Sequence, residues 1–171
     1  REYIDQLMEY NKKFLIIGNI NALTYKETFN YIKENKMWLG YNTTRYFLQP
    51  DGSLFETART FWYTNLDIGK RHEDIILYKK YNETDYPKYD NYNAINIDKT
   101  NEIPMDYEGY MGVPITFMDK YNPEQFEILG IMNTGEENKG IRLPNTPHGR
   151  PIINGKEKYL RILIRNKKVV G

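Results

Sequence analysis

Apolar positions recur along the chain with two periods, and each period marks an element. Tyr3, Ile4, Leu7 and Met8 follow the i, i+1, i+4, i+5 spacing of one helical face, so residues 2–12 read as a helix packed on the strand that follows. Residues 14–17, Phe-Leu-Ile-Ile, are a continuous apolar run closed by Gly18, the pattern of a strand buried on both faces. Thr24 with Glu27 three residues on reads as a capping box. Tyr25, Phe29 and Ile32 then share one face of the helix it opens, and Lys33 and Lys36 sit at its end, where the helix dipole favours cations. Residues 37–41 read as a second buried strand. A strand–helix–strand crossover of this length predicts two parallel neighbouring strands with a right-handed connection, an α/β arrangement. Such sheets bind ligands at the carboxyl ends of their strands, where the Gly18, Asn19, Ile20, Asn21 turn would lie. The same turn also reads as an ordinary polar loop.

Beyond residue 44 the period shortens. Residues 45–48 are a short strand candidate, and 49–53, Gln-Pro-Asp-Gly-Ser, form a strong turn in which proline presets φ and glycine accepts a positive φ. Residues 59–66, rich in aromatic and β-branched types, predict a strand antiparallel to the one before the turn. A charged loop spans 67–73, a strand candidate 75–78, and an irregular extended segment 81–92, dominated by tyrosine, asparagine and charge. Strands are expected at 94–97, 113–118, 126–131 and 158–170. Pro114 argues for the edge or start of its strand. A turn-rich connection is read at 103–112, a helical turn at 119–126 and a long Gly-, Pro- and Asn-rich loop at 133–155. No internal repeat and no linker divides the chain.

Composition narrows the chemistry. With 171 residues the chain can bury a real core, and its formal net charge of +1 means that any basic surface must be local. No cysteine is present, which excludes disulfides and thiolate zinc sites, and the two histidines, His72 and His148, lie far apart. No apolar run approaches the ~20 residues that span a bilayer. Sixteen tyrosines, with many asparagines and lysines, fit a compositional bias of the source genome as readily as a function. The first helix starts at the first residue without a capping sequence, and Arg1 is not a natural start, so more chain is expected upstream.

Three stretches carry candidate chemistry. Phe61, Trp62 and Tyr63 are consecutive on a strand, so Phe61 and Tyr63 share one face and Trp62 the other. They suit either apolar packing on both faces or an aromatic set that stacks a nucleobase. Lys70, Arg71 and His72 form a compact basic loop, fit for phosphate or for solvent. Lys156, Lys158, Arg161, Arg165, Lys167 and Lys168 make a basic C-terminal stretch, with Arg161 and Arg165 on one strand face. That pair suits a strand tracking a phosphate backbone, or an edge strand protected by charge. The chain has no Gly-rich phosphate loop, nucleophile elbow, paired-histidine helix or EF-hand loop, and no spacing that marks a metal site.

Long blocks of the chain resemble the EcoRI-type adenine-specific DNA methyltransferases. They are Arg-Glu-Tyr-Ile-Asp-Gln-Leu at the start, Lys-Lys-Phe-Leu-Ile-Ile-Gly-Asn-Ile-Asn-Ala from Lys12, and Thr-Phe-Trp-Tyr-Thr-Asn-Leu-Asp-Ile-Gly-Lys-Arg-His-Glu from Thr60. Met-Gly-Val-Pro-Ile-Thr-Phe from Met111, Tyr-Asn-Pro-Glu-Gln-Phe-Glu-Ile from Tyr121 and Arg-Ile-Leu-Ile-Arg from Arg161 extend the likeness over nearly the whole chain. Such enzymes move a methyl group from S-adenosylmethionine to the exocyclic amine of an adenine flipped out of the duplex. Their catalytic Asn/Asp-Pro-Pro-Phe/Tyr motif and Phe-x-Gly-x-Gly cofactor loop are both absent here.

The resemblance therefore implies the C-terminal part of a Rossmann-like methyltransferase: a mixed sheet of parallel strands plus a terminal antiparallel hairpin, then an irregular β-rich region. Residues 1–80 would finish the catalytic domain, and 81–171 would be the β-rich DNA-contacting region, packed with it as one unit. Asn19, Asn21, Phe61, Tyr63 and Asn65 would line the target-base pocket, with Phe61 facing the base and Trp62 in the core. Lys70, Arg71, His72, Lys158, Arg161, Arg165 and Lys167 would contact DNA. S-adenosylmethionine would serve the full-length enzyme and not bind this part, which carries no catalytic residue. The setting would be cytoplasmic, without a membrane partner. The alternatives are a non-catalytic DNA-binding module and a protein-interaction module of the same ancestry.

Overall fold

The computed structural model describes residues 2–133, 143 and 149–171. His148 and much of the loop expected at 133–155 lie outside the described residues. The chain divides into two compact units, residues 1–71 and 72–171. The division falls before 80/81 because residues 74–79 are tied to the second unit. There the Asp74 carboxylate accepts from Asn122 Nδ2 at 2.9 Å, and Lys79 is bridged to Pro104.

The first unit holds α1 (Glu2–Glu9), β1 (Leu15–Asn19), a 3-10 turn (Ile20–Thr24), α2 (Lys26–Lys33) and a hairpin of two long strands, β2 (Trp38–Leu48) and β3 (Leu54–Thr64). Strand order is β1-β3-β2, with β3 antiparallel to both neighbours. β1 and β2 thus run parallel, as the crossover requires, but they are not neighbours: the returning arm of the hairpin lies between them. This corrects the expected adjacent parallel pair. The two strands expected at 37–41 and 45–48 are one strand, interrupted by register shifts between Leu39 and Thr43 and between Thr44 and Tyr46. The turn at 49–53 is as expected, with Gly52 at φ 83° and Ser53 N–H donating to the Asp51 carboxylate at 2.9 Å.

Two local expectations fail for identifiable reasons. β1 has a free edge among the described residues, and Leu15 and Ile17 are 56 % and 37 % exposed, so it is not buried on both faces. The capping box does not form. Residues 20–24 coil into the 3-10 turn, so the Thr24 hydroxyl donates back to the Asn21 carbonyl at 2.9 Å, and Tyr25 becomes the N-cap with no side-chain bond. α2 does bury Thr28, Phe29 and Ile32, while α1 buries none of its residues fully.

In the second unit a four-stranded mixed sheet has the order β4 (Ala94–Asn96), β5 (Tyr110–Pro114), β9 (Arg161–Asn166), β6 (Phe126–Ile131). β4 and β5 are parallel, and the other pairs are antiparallel. A short hairpin, β7 (Ile152–Ile153) and β8 (Lys156–Glu157), precedes β9. Pro114 ends β5 and starts a 3-10 turn (Ile115–Lys120), so the strand lies three residues earlier than the 113–118 expected. β9 is an inner strand, buried along most of its length, and not a charge-protected edge. Both sheet faces are covered, one of them by Tyr89, Tyr92, Met132 and Ile153 around Leu163. Residues 75–78 form no strand. The Gln125 side-chain amide pairs with both backbone groups of Ile75, at 2.6 and 2.8 Å, and does the work of a neighbouring strand.

Among the described residues no helix is long and apolar enough to cross a membrane, and no group of His, Asp and Glu side chains is arranged to hold a metal.

Candidate nucleic-acid interface

β3 decides the fate of the aromatic triplet. In the part of β3 that pairs with β1 as well as β2, Phe61 and Tyr63 are 1 % and 2 % exposed, while Trp62 is half-buried on the opposite face beside Ile17. The Tyr63 hydroxyl donates to the Asn19 carbonyl at 2.8 Å, and burial pushes its pKa well up. Gly18 is required by this packing, since a Cβ there would meet the Tyr63 ring at 3.0 Å. Phe61 and Tyr63 are therefore core residues of the first unit, where Trp62 was the residue expected in the core. Within β3 the stretch flanked by both β1 and β2, residues 60–64, is the covered one, while residues 54–59 stay exposed or half-exposed, and alternation alone leaves undecided which face is covered.

The asparagines expected in the pocket have mostly local partners. Asn19 and Asn21 are exposed, and the Asn19 side chain accepts from the Asn21 N–H at 2.8 Å. Asn65 clamps the start of β1: its Oδ1 accepts from Phe14 N–H at 2.9 Å and its Nδ2 donates to the Lys12 carbonyl at 2.8 Å.

The basic loop is held inside the first unit as far as Arg71. Lys70 Nζ donates to the Gly40 carbonyl at 2.8 Å. The Arg71 guanidinium lies 3.3 Å from the Trp38 ring centroid, pairs with Asp67 at 3.1 Å and donates to Asn35. His72, the first residue of the second unit, is exposed.

The C-terminal cations split three ways. Arg165 is paired with Glu127 at 2.5 Å, and Lys167 donates to the Pro123 carbonyl at 2.7 Å. Lys158 is exposed. Arg161, although on the same strand face as Arg165, is only 9 % exposed and sits beside Asn96 and Asp98.

Two clefts bring residues together in combinations that sequence reasoning did not give. One, of about 600 Å³, lies at the irregular middle of the β2–β3 hairpin and is lined by Thr43, Thr44, Arg45, Tyr46 and Arg59. The other, of about 780 Å³, lies in the second unit and joins Lys158 and Arg161 with Arg150, Tyr159 and Asp98. The signal for the second was present: an aromatic interleaved with cations in Lys-Tyr-Leu-Arg. Nothing in the sequence marked the first, because it depends on the register shifts.

The family model described as adenine-specific methyltransferase EcoRI matches residues 1–167. The chain belongs to that family. It is similar, at 47 % identity over 99 % of its length, to a type II methyltransferase of Escherichia coli, M.EcoRI, of which it covers 55 %. Type II methyltransferases of Mycoplasma genitalium and Mycoplasma pneumoniae are 35 % and 32 % identical over 99 % of the chain, which covers 62 % and 61 % of them. The chain thus spans little more than half the length of these relatives. No solved structure gives a significant match.

Proposed function

We propose that this chain is the C-terminal part of an S-adenosylmethionine-dependent DNA adenine methyltransferase, and that it contributes DNA contacts and the wall of the target-base pocket. The observation that carries the reading is the family match over residues 1–167, joined to relatives that are all type II methyltransferases and are considerably longer. The first unit supports it. β1, α2, β2 and β3 suit the last strand, crossover helix and terminal hairpin of a Rossmann-like sheet. Its free β1 edge, with Leu15 and Ile17 exposed on a strand of fully buried composition, suits a sheet that continues into further chain.

Among the described residues the glycine of β1, Gly18, offers no cradle for S-adenosylmethionine, because the Tyr63 ring takes up the space beside it. No methyl-transfer step is assigned to this chain's side chains. Its share of the work is to hold DNA and the extruded base, with the exposed Asn19–Asn21 turn and the half-buried Trp62 as the pocket groups left available on the first unit. In the longer enzyme, incubation with labelled S-adenosylmethionine and adenine-containing duplex should place label on the adenine amine, and the isolated chain should place none. Binding of duplex without transfer by the full-length protein would favour the non-catalytic module, and transfer by the isolated chain would overturn the division of labour.

A further inference from the structure

The β2–β3 hairpin outruns the sheet it belongs to. β1 pairs with β3 only from Thr64 to Thr60, and at its end Asn19, Thr60 and Thr44 stand in one row. Past that row, among the described residues, the two arms pair only with each other, and Tyr46, Leu48, Leu54 and Phe55 are exposed along them. The cleft of about 600 Å³ lies at the foot of this ribbon. There the register shifts: between two paired positions β3 carries Thr57, Ala58 and Arg59, while β2 carries Arg45 alone. An interrupted ladder re-aims the side chains beside it. Here it brings Arg45 and Arg59, from different strands, to one cleft with Thr43 and Thr44.

Charge and pairing say what this cleft takes. Its lining holds two guanidinium groups and no carboxylate. Arg45 reaches Glu56 only at 3.7 Å, through Nε, with both side chains more than half exposed, which is too long for a hydrogen bond. Arg59 lies 5.9 Å from the Phe61 ring centroid and has no hydrogen bond or ion pair among the described residues. Two such forks on one cleft suit an oxyanion, which each can meet with paired N–H donors. Lys70 and Arg71 differ, since their donors are already engaged on the Gly40 carbonyl and on Asp67 and Asn35. The shared row also sets the cleft at the carboxyl end of β1. It lies two inter-strand spacings, about 10 Å, from the exposed turn that begins at Asn19. We infer that Arg45 and Arg59 clamp a backbone phosphate of duplex DNA close to the target adenine. Phosphate contacts set register, so this clamp fixes which nucleotide faces the Asn19–Asn21 turn. The inference rests on the DNA reading above and adds to it the place where the backbone is gripped.

The test uses the full-length protein and a duplex containing its methylation site. The double variant Arg45→Ala, Arg59→Ala should lower the log–log salt slope of binding by about one and leave base preference unchanged. Arg45→Lys with Arg59→Lys keeps both charges and should retain the slope, which separates the charge from any structural role of these side chains. A single methylphosphonate removes one backbone charge. It should weaken the parent within about three nucleotides of the target adenine, a reach of about 10 Å at about 3.4 Å per step, and leave the double alanine variant unaffected there. The inference is overturned if the folded double alanine variant shows the parent's slope and the parent's methylphosphonate pattern. Inorganic phosphate that binds the parent alongside duplex, without displacing it, would mark a free-anion site and overturn it as well. Should the double variant fail to fold, the methylphosphonate scan of the parent decides, and insensitivity throughout that window sinks the idea. Duplex binding with either negative result removes only this inference. No duplex binding at all removes the DNA reading with it.

Discussion

Phe61→Ala tests the burial of Phe61 in the core of the first unit. The Phe61 ring is 1 % exposed, lies on the inner strand of its sheet between Gly18 and Thr43, and has the Arg59 guanidinium 5.9 Å from its centroid. Truncation removes a fully buried aromatic from a site whose backbone is fixed on both sides by strand pairing, so little collapse is available. Such a change costs about 3–5 kcal/mol. For a unit of 71 residues, where 1 kcal/mol moves the midpoint by roughly 4–8 °C, the melting temperature should fall by about 12 °C or more. Trp62 is half-buried on the other face, and Trp62→Ala should cost about 0.5–3 kcal/mol. Thermal and urea melts of both variants decide, alongside duplex affinity at a temperature where both are folded. The packing argument is refuted if Phe61→Ala melts within about 4 °C of the parent while Trp62→Ala is the severely destabilised one.

Gly112→Ala would place a Cβ 2.7 Å from the Met132 sulfur and 2.8 Å from Tyr89 Cε2, all in the buried sheet. It should cost about 1–3 kcal/mol by overpacking, and an unchanged urea midpoint would show that the ring can move aside. Asn65→Ala leaves Phe14 N–H and the Lys12 carbonyl without their partner and should cost about 1–3 kcal/mol, with Asn65→Asp intermediate because it keeps the acceptor; equal stability of all three proteins in urea would dismiss the clamp. Tyr31, through its hydrogen bond to Asp5, and Tyr121, through burial, are both pushed up to about 12. The folded state therefore holds these protons more tightly than the unfolded one. Their stabilisation is complete below about pH 10 and is lost as pH rises through about 12. Melting temperatures from about pH 9 to about pH 12 should fall, and less steeply in Tyr31→Phe; the same slope in that variant would exclude Tyr31.

What the sequence made legible were elements whose periodicity and turn chemistry agree. The Pro50-Asp51-Gly52 turn and the hairpin it closes, the amphipathic α2 and the run at 126–131 all sit close to their expected places. Sheet order was not legible. Phe14 to Ile17 has the composition of a strand buried on both faces, yet its place in the sheet depends on where the hairpin returns, a non-local choice. The same gap misplaced the aromatic triplet, because alternation fixes which residues share a face and not which face is sealed. The failed capping box shows a local rule losing to a competing local structure: the 3-10 turn at Ile20–Thr24 uses Thr24 before α2 begins. In the candidate interface the residue types were visible, but their pairing was not. Nothing in the spacing of Lys70 or Arg71 announces the Gly40 carbonyl or the Trp38 ring.

On the function proposed above, that pairing has a consequence for DNA affinity. Counterion release scales with the number of phosphates neutralised, at about −0.9 in log–log slope for each contact. A cation already bound to a neighbouring group must give up that bond to make a phosphate contact. Lys70 is seated on the Gly40 carbonyl and Lys167 on the Pro123 carbonyl, each within 2.8 Å. Lys158 Nζ has no such partner among the described residues, and its backbone N–H alone is engaged, on Pro151. Basic residues that look equivalent in the sequence should therefore differ in solution. In the full-length protein, Lys70→Ala and Lys167→Ala should each leave the salt slope of duplex binding unchanged within about 0.3, while Lys158→Ala lowers it by about one. Lys70→Ala should show its effect in the melt instead, through loss of the hydrogen bond that ties the 69–72 turn to β2. A drop of about one in slope for Lys70→Ala or Lys167→Ala would mean that these ammonium groups exchange their carbonyl for phosphate on binding, and that hydrogen bonding in the free chain does not decide which cations reach DNA.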